Sequence, residues 1–317
     1  MKNSKVFVSS RSFSSNIFLK NKLLSIYPNS TFNNTGKKLT KKEFLKFAMD
    51  ADKIIIALDE VDKSVLAKLP NLKVISKYGV GLDNLNLHDL EKFGIKLGWS
   101  QGQNARSVAE LVIGYIFSIS RNLFNYQNKM KNKSMFSQEI ANQITNKSIG
   151  IIGFGSIGSE LAKLMSPFNC KIYYYDIRKI KSNNTLHSQK TLNFLLKKSD
   201  IISIHAPLTR KSQNLINSKN IFLCKKNLLI INCARGGIIN ENSIYNFLRK
   251  NEFANAAFDV FINEPPYKNK LLNLKNFYCS PHIGGSTSES IINMGQSAIE
   301  GLDKFVNYKK LYMFGYE

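Results

Sequence analysis

The sequence predicts an α/β protein built on parallel sheets, and three observations carry that expectation. Short β-branched runs alternate with amphipathic helical stretches along nearly the whole chain, the order that gives strand, crossover helix and parallel strand. The 317 residues are 43% hydrophobic, which is enough for sizeable cores. At roughly 100–200 residues per domain, that length fits about two domains. The longest nearly unbroken apolar stretch, 111–119, is far short of the roughly 20 residues that span a bilayer.

In the first third, strands are expected at 5–10, 53–58, 72–76 and 95–99, with helices at 16–26, 41–51, 63–69 and 87–93. The last of these ends on Gly94, a common helix stop. A long helix is expected over 107–124, because Ser107 and Glu110 have the spacing of a capping box. The polar segment 125–147 reads as a connector. A second α/β run follows, with strands at 148–154, 172–176, 201–205, 228–232 and 256–259 and a short one near Tyr278. Its helices are expected at 157–165, 192–197 and 242–250, and a closing helix at 286–309.

The start of the chain leads only into the apolar run 6–8, without the h-region or cleavage site of a secretory signal. Cys170, Cys224, Cys233 and Cys279 show neither metal-ligand spacing nor disulfide density, so no metal is expected and a reducing, cytoplasmic setting fits. The 45 basic and 22 acidic residues give a net charge of +23. Only 7 of the basic residues are Arg, and the Lys come singly or in pairs, which spreads charge over the surface and weighs against nucleic acid as a partner. Such a field still helps to attract an acidic substrate or cofactor.

Chemistry enters with Gly153-x-Gly155-x-x-Gly158, which closes an apolar strand and opens a helix. Eighteen residues later the next strand ends in Asp176, completing the context of a dinucleotide site. Gly153 permits the turn, Gly155 lets the backbone approach a diphosphate, and Gly158 lets helix and strand pack closely. The amides of Ser156 and Ile157 sit at the positive helix end. Asp176 would accept from the ribose hydroxyls and repel a 2′-phosphate, favouring NAD, a preference that Arg178 weakens.

Three further residues have complementary chemistry. Arg235 lies between the strand 228–232 and a Gly pair, at the carboxyl edge where open α/β sheets bind ligands, and a guanidinium grips a carboxylate bidentately. Glu264 and His282 each follow a predicted strand. An imidazole beside a carboxylate is favoured in its charged form and can donate a proton near neutral pH. His88 and His187 read as surface residues.

Seven segments in order carry a family resemblance: 75–84, 104–110, the glycine loop with Asp176, 204–209, 232–237, 256–265 and 280–287. On these the chain resembles the D-isomer-specific 2-hydroxyacid dehydrogenases, the group that includes phosphoglycerate, glycerate and D-lactate dehydrogenases. The resemblance implies two Rossmann-like, doubly wound parallel-sheet domains, with a discontinuous substrate domain (1–102 and 286–317) and an NAD-binding domain (103–285). It implies Arg235, Glu264 and His282 as the catalytic set. Asp259 would lie near the nicotinamide carboxamide, and Ala206, Cys233, Ala234, Arg235, His282 and Gly284 would line the cofactor. The backbone of Gly79, Val80 and Gly81, with Asn104 and Arg235, would meet the substrate. It further implies a homodimer, with the long helix contributing.

The expected reaction is reversible hydride transfer between NAD(H) and C2 of a small 2-oxo or 2-hydroxy acid, D-stereospecific by resemblance. Phosphoglycerate dehydrogenase proper is the alternative. In those enzymes the turn after the strand at 54–58 carries an Arg suited to phosphate; here it reads Ala57, Leu58, Asp59, Glu60. Lys63 and Lys77 are near enough in sequence to compensate. Formate dehydrogenase needs no acid–base glutamate, so Glu264 counts against it. A non-enzymatic NAD-sensing scaffold would carry extra partner-binding segments. The only Trp, Trp99, stands where relatives often have a smaller polar residue, and reads either as a pocket residue or as core packing.

Overall fold

In the computed structural model the chain forms two compact units, Met1–Asn104 with Ser286–Glu317, and Ala105–Gly285. The structure describes residues 2–134, 140–180, 184–313 and 315–316. The first unit opens with β1 (Val6–Val8), α1 (Arg11–Ser15), α2 (Ile17–Ile26), β2 (Ser30–Phe32), α3 (Lys41–Ala48), β3 (Lys53–Ile56), α4 (Lys63–Leu66), β4 (Val74–Lys77), α5 (Leu87–Lys92) and β5 (Lys96–Gly98). Its strands pair in parallel in the order β2-β1-β3-β4-β5. A parallel sheet is covered on both faces, which is why Ile54, Ile55 and Ile56 are consecutive and all buried. The side chains of Asn16, Thr40, Asp62 and Asn86 cap α2, α3, α4 and α5, each accepting from an amide three residues on.

The second unit contains α6 (Ala105–Ser120), α7 (Leu123–Lys131), β6 (Ser148–Ile152), α8 (Ser156–Met165), β7 (Lys171–Tyr175), β8 (His187–Gln189), α9 (Leu192–Lys198), β9 (Ile201–Ile204), β10 (Leu229–Asn232), α10 (Glu241–Lys250), β11 (Asn255–Phe258) and β12 (Phe277–Cys279). The sheet order is β12-β11-β10-β9-β6-β7-β8, all parallel. Alternate residues feed separate cores on its two faces. Ile202, Ile204 and Ile230 lie in one, and Ile149, Ile151 and Ile231 in the other. The strand order reverses at β6 and β9, the switch point at whose carboxyl edge doubly wound sheets take ligands. The chain then returns to the first unit as α11 (Ser288–Glu300) and α12 (Tyr308–Met313). There Ile299 and Leu302 pack with Val6, Leu19 and Leu23, and Leu311 with Leu90 and Leu97.

Several local expectations are corrected. The long helix begins at Ala105, so Ser107 is buried inside its first turn and does not stand at its N-cap position. Glu110 instead pairs with Arg106 one turn back, at 2.9 Å. The helix ends at Ser120, Asn122 is left-handed with φ 54°, and α7 occupies the start of the supposed connector 125–147, of which 135–139 lie outside the described residues. The closing helix is two helices, interrupted over 301–307. α1 precedes the helix expected at 16–26, and Asn16 ends one and caps the next. β2 and β8 were not expected. Each has three residues, is partly exposed at a sheet edge and lacks an apolar run.

Candidate functional site

In the second unit, β6 runs into Gly153 at φ +90°, where a Cβ would lie 2.6 Å from the Ala206 nitrogen. Only glycine lets the strand end pass the loop after β9. Gly155 stands at the N-cap of α8 with no side-chain cap, so the first helical amides, those of Ser156 and Ile157, face outward without a cap. A Cβ on Gly158 would be 2.2 Å from the Gly153 carbonyl, which closes helix onto strand.

Asp176 follows β7 directly. Its Oδ2 accepts from the Phe154 amide at 2.9 Å, tying the strand end to the glycine loop. Arg178 takes the rest of the carboxylate, with its amide and Nε each 2.9 Å from Oδ1 and Nη2 3.1 Å from Oδ2. Burial alone would push this carboxyl pKa up, but the bonds from Arg178 and Phe154 outweigh it and hold it below the usual range. Nearby, the His205 ring meets Ser203 Oγ at 2.8 Å. Its burial pushes the pKa down to about 3, and its Nδ1 is buried with no protein partner among the described residues.

The turn after β10 is braced by Asn232, which accepts from the Ala234 amide at 3.1 Å and donates to the Arg235 carbonyl at 2.9 Å. Arg235 Nη1 donates to the Ala234 carbonyl at 2.7 Å, and Cys233 is buried, which pushes its thiol pKa up. β11 pairs with β10, so the two loops leave the sheet side by side, and a Cβ on Gly236 would strike the backbone of Phe261 at 2.0 Å. The Phe261 amide in turn holds Glu264 Oε1 at 3.0 Å. The other carboxylate oxygen, Oε2, lies 2.8 Å from His282 Nδ1.

His282 is left-handed, at φ 56°. What holds it there is Asp259, 1% exposed, whose carbonyl accepts the His282 amide at 2.9 Å. The Asp259 carboxylate accepts from the amides of Ile283 and Gly284, both at 2.8 Å, and from Ser280 Oγ at 2.5 Å. Tyr115, from α6, lies 2.6 Å from the same Ser280 hydroxyl. Sequence reasoning missed Tyr115 and Ser280, since a tyrosine in an apolar helix looks like core.

In the first unit, Gly79, Val80 and Gly81 follow β4. Asp59 is 6% exposed and turned inward, accepting from Ser9 Oγ at 2.5 Å. Lys77 is 5% exposed and donates to Asn84 Oδ1 at 2.7 Å and to the Ala57 carbonyl. Asn104 has its Oδ1 buried without a protein partner among the described residues. His88 stacks on Tyr312 at the surface, whereas His187 is half-buried with its ring edge-on to Phe154, a correction to its reading as a surface residue. Among the described residues no group of His, Cys, Asp and Glu could hold a metal ion, and no helix is long and apolar enough to cross a membrane.

The sequence family described as D-isomer specific 2-hydroxyacid dehydrogenase, NAD binding domain, matches residues 113–284. The hydroxypyruvate reductase of Thermotoga maritima is 34% identical over 275 residues, covering 85% of this chain and 90% of that one. The D-3-phosphoglycerate dehydrogenase of Methanocaldococcus jannaschii is 34% identical over 271 residues, covering 84% of this chain but only 52% of its own length. The D-lactate dehydrogenase of Aquifex aeolicus, solved with NAD and lactic acid, shares the fold at a TM-score of 0.80 and 24% identity, covering 98% of this chain and 95% of that one.

Proposed function

The chain belongs to the D-isomer-specific 2-hydroxyacid dehydrogenase family, and within it we propose an enzyme for small, non-phosphorylated 2-oxo acids with Arg235, Glu264 and His282 as its catalytic set. It is an NAD-dependent oxidoreductase acting on the CH–OH group of 2-hydroxy acids. The residues present fit that cofactor. A glycine turn, an uncapped helix start and a strand-end carboxylate line one sheet edge of Ala105–Gly285, which we read as the cofactor domain. Ala206, Cys233, Ala234 and Gly284 are proposed to line the same edge. Residues 1–104 and 286–317 are read as the substrate domain, with the Gly79–Gly81 backbone and Asn104 meeting the substrate.

Bound NAD supplies the hydride acceptor and, when reduced, the hydride donor. The observation that carries the catalytic reading is the 2.8 Å contact of Glu264 Oε2 with His282 Nδ1. Glu264 orients the ring, leaving Nε2 to give a proton to the C2 oxygen during reduction and to take it back during oxidation. Arg235 pairs with the substrate carboxylate, fixing C2. Asp259, with its carboxylate turned to the 280–284 loop, serves the reaction by holding His282 in place.

Substrate choice rests on the Ala57 turn. A phosphate dianion needs a basic anchor. This turn offers Ala57 and a buried Asp59, and Lys77 is engaged by Asn84 and the Ala57 carbonyl. The test is kcat/KM for 3-phosphohydroxypyruvate beside hydroxypyruvate, glyoxylate and pyruvate. A tenfold or greater preference for the phosphorylated acid would overturn the reading of this turn and restore the phosphoglycerate dehydrogenase alternative. A cytoplasmic homodimer is the assembly we propose. Exposed Leu123 and Met130 on α7 support pairing through the cofactor domain, and sedimentation at the mass of one 36.0 kDa chain would refute it.

A further inference from the structure

Trp99 follows β5, which runs parallel to β4 with Ser76 opposite Gly98. The chain therefore leaves both strands side by side at one edge of the sheet, and Trp99 reaches the loop after β4. Its indole Nε1 donates to the Val80 carbonyl at 3.0 Å. The ring is half-buried and meets Tyr316 edge-on, with centroids 5.7 Å apart. The ends of the loop are held separately. The Tyr78 amide donates to the Ile56 carbonyl at 2.8 Å, and Asn84 Nδ2 donates to the Ala57 carbonyl at 3.3 Å. The indole holds the middle.

We propose that Trp99 is a positioning residue for substrate binding. By fixing the Val80 carbonyl it aims the Gly81 amide at the carboxylate of the 2-oxo acid. The reasoning is geometric. In a planar trans peptide the C=O of one residue and the N–H of the next point in opposite directions. A carbonyl drawn toward the indole turns the Gly81 N–H away from it. Among the described residues neither the Val80 nor the Gly81 amide donates to a protein acceptor, so both remain for a ligand. A carboxylate accepting backbone amides gains charge-assisted hydrogen bonds, which weaken if the peptide can rotate. The inference rests on Gly79–Gly81 being the carboxylate loop, as proposed above. A tryptophan used only for packing would also seek an acceptor for its N–H, so the two roles must be separated by experiment.

Two variants separate them. Trp99→Phe keeps an aromatic ring and deletes the donor. Gly79→Ala strains the loop itself, because Gly79 sits at φ +120°. For each, kcat and KM are measured with glyoxylate and hydroxypyruvate, and KM with NADH. Trp99→Phe should raise KM for the 2-oxo acid about three- to tenfold, the size of one hydrogen bond's net contribution, with kcat and the KM for NADH little changed. Gly79→Ala should raise the same KM. A rise in Gly79→Ala alone would overturn the role of Trp99 and leave the loop reading intact. No rise in either would overturn both. A rise in Trp99→Phe alone would place its effect outside the loop and also sink the proposal. Should Trp99→Phe fail to fold, the unaltered protein still decides, because Trp99 is its only tryptophan. Titrating glyoxylate in the presence of NAD+ should change the tryptophan emission saturably, and NAD+ alone should not. An emission blind to glyoxylate would refute the proposal.

Discussion

The carboxylate of Asp176 presents an uncommon competition. Arg178 Nε and Nη2 occupy two of its acceptor positions, at 2.9 and 3.1 Å, and the amides of Phe154 and Arg178 take two more, both at 2.9 Å. A carboxylate offers about four such positions, so ribose hydroxyls can bind only where the guanidinium yields. The Arg178 side chain is 34% exposed but the Asp176 side chain only 6%, so the pair is partly buried and contributes more than the roughly 0–1 kcal/mol of an exposed one. Arg178→Ala should therefore lower KM for NADH by about fivefold or more, the equivalent of about 1 kcal/mol or above. Asp176→Ala removes hydrogen bonds to a charged acceptor, each contributing about 1.5–3 kcal/mol, and should raise KM for NADH by roughly 10- to 100-fold. It also frees Arg178 to meet a 2′-phosphate, so the gap between NADH and NADPH should narrow. The assay is initial rate against each cofactor at saturating glyoxylate for the parent enzyme and both variants. If Arg178→Ala weakens NADH, or the parent already prefers NADPH, the competition argument is wrong.

Other expectations are as direct. His282→Ala should lower kcat by roughly 10²–10⁴, and Glu264→Gln should lower kcat too, because the ring loses the carboxylate that orients it. An unchanged kcat in Glu264→Gln would remove Glu264 from the chemistry. Tyr115→Phe unties Ser280 from α6. It should cost about 1 kcal/mol of stability and reduce kcat without changing KM for NADH, whereas intact kcat would leave Tyr115 a purely structural residue. His205 titrates near 3 in the folded state because burial disfavours its charge. An unfolded chain binds that proton below about 6.5, so stability is lost as pH falls from there toward 3, by about 2 kcal/mol between pH 7 and pH 5. His205→Gln should lack that component when urea unfolding is compared at the two pH values. Parallel losses in both proteins would show that the buried ring is not its source.

What could be read from the sequence was whatever depends on local spacing. The glycine turn, the carboxylate ending the next strand and the parallel order of the sheets all follow from neighbours along the chain. The pairing of Glu264 with His282 was read from two loops that each follow a predicted strand, and the structure gives it a distance. The unread features need contacts between distant residues. Nothing in the helix around Tyr115 announces a hydroxyl aimed at Ser280, 165 residues on, and nothing near Trp99 reveals that its N–H ends on Val80. The misplaced helix start at Ser107 has a different cause: Ser-x-x-Glu occurs inside helices as well as at their starts.

The discontinuity of the first unit bears on how the protein is made. Val6, Val8, Leu19, Leu23 and Tyr27 are buried with Ala298, Ile299 and Leu302, and Ser76 Oγ donates to the Ala298 carbonyl at 2.6 Å. None of these partners exists until the intervening residues 105–285 have been synthesised. At 5–20 residues per second that interval is roughly 10–40 s. For its duration the nascent amino-terminal segment carries an open apolar face, while the later-born unit can fold from contiguous chain as it emerges. The half of the molecule translated first is therefore the half completed last. Slowed elongation, or arrest before residue 298, would leave a folded nucleotide-binding unit trailing a sticky, unfinished sheet, the species most in need of a chaperone.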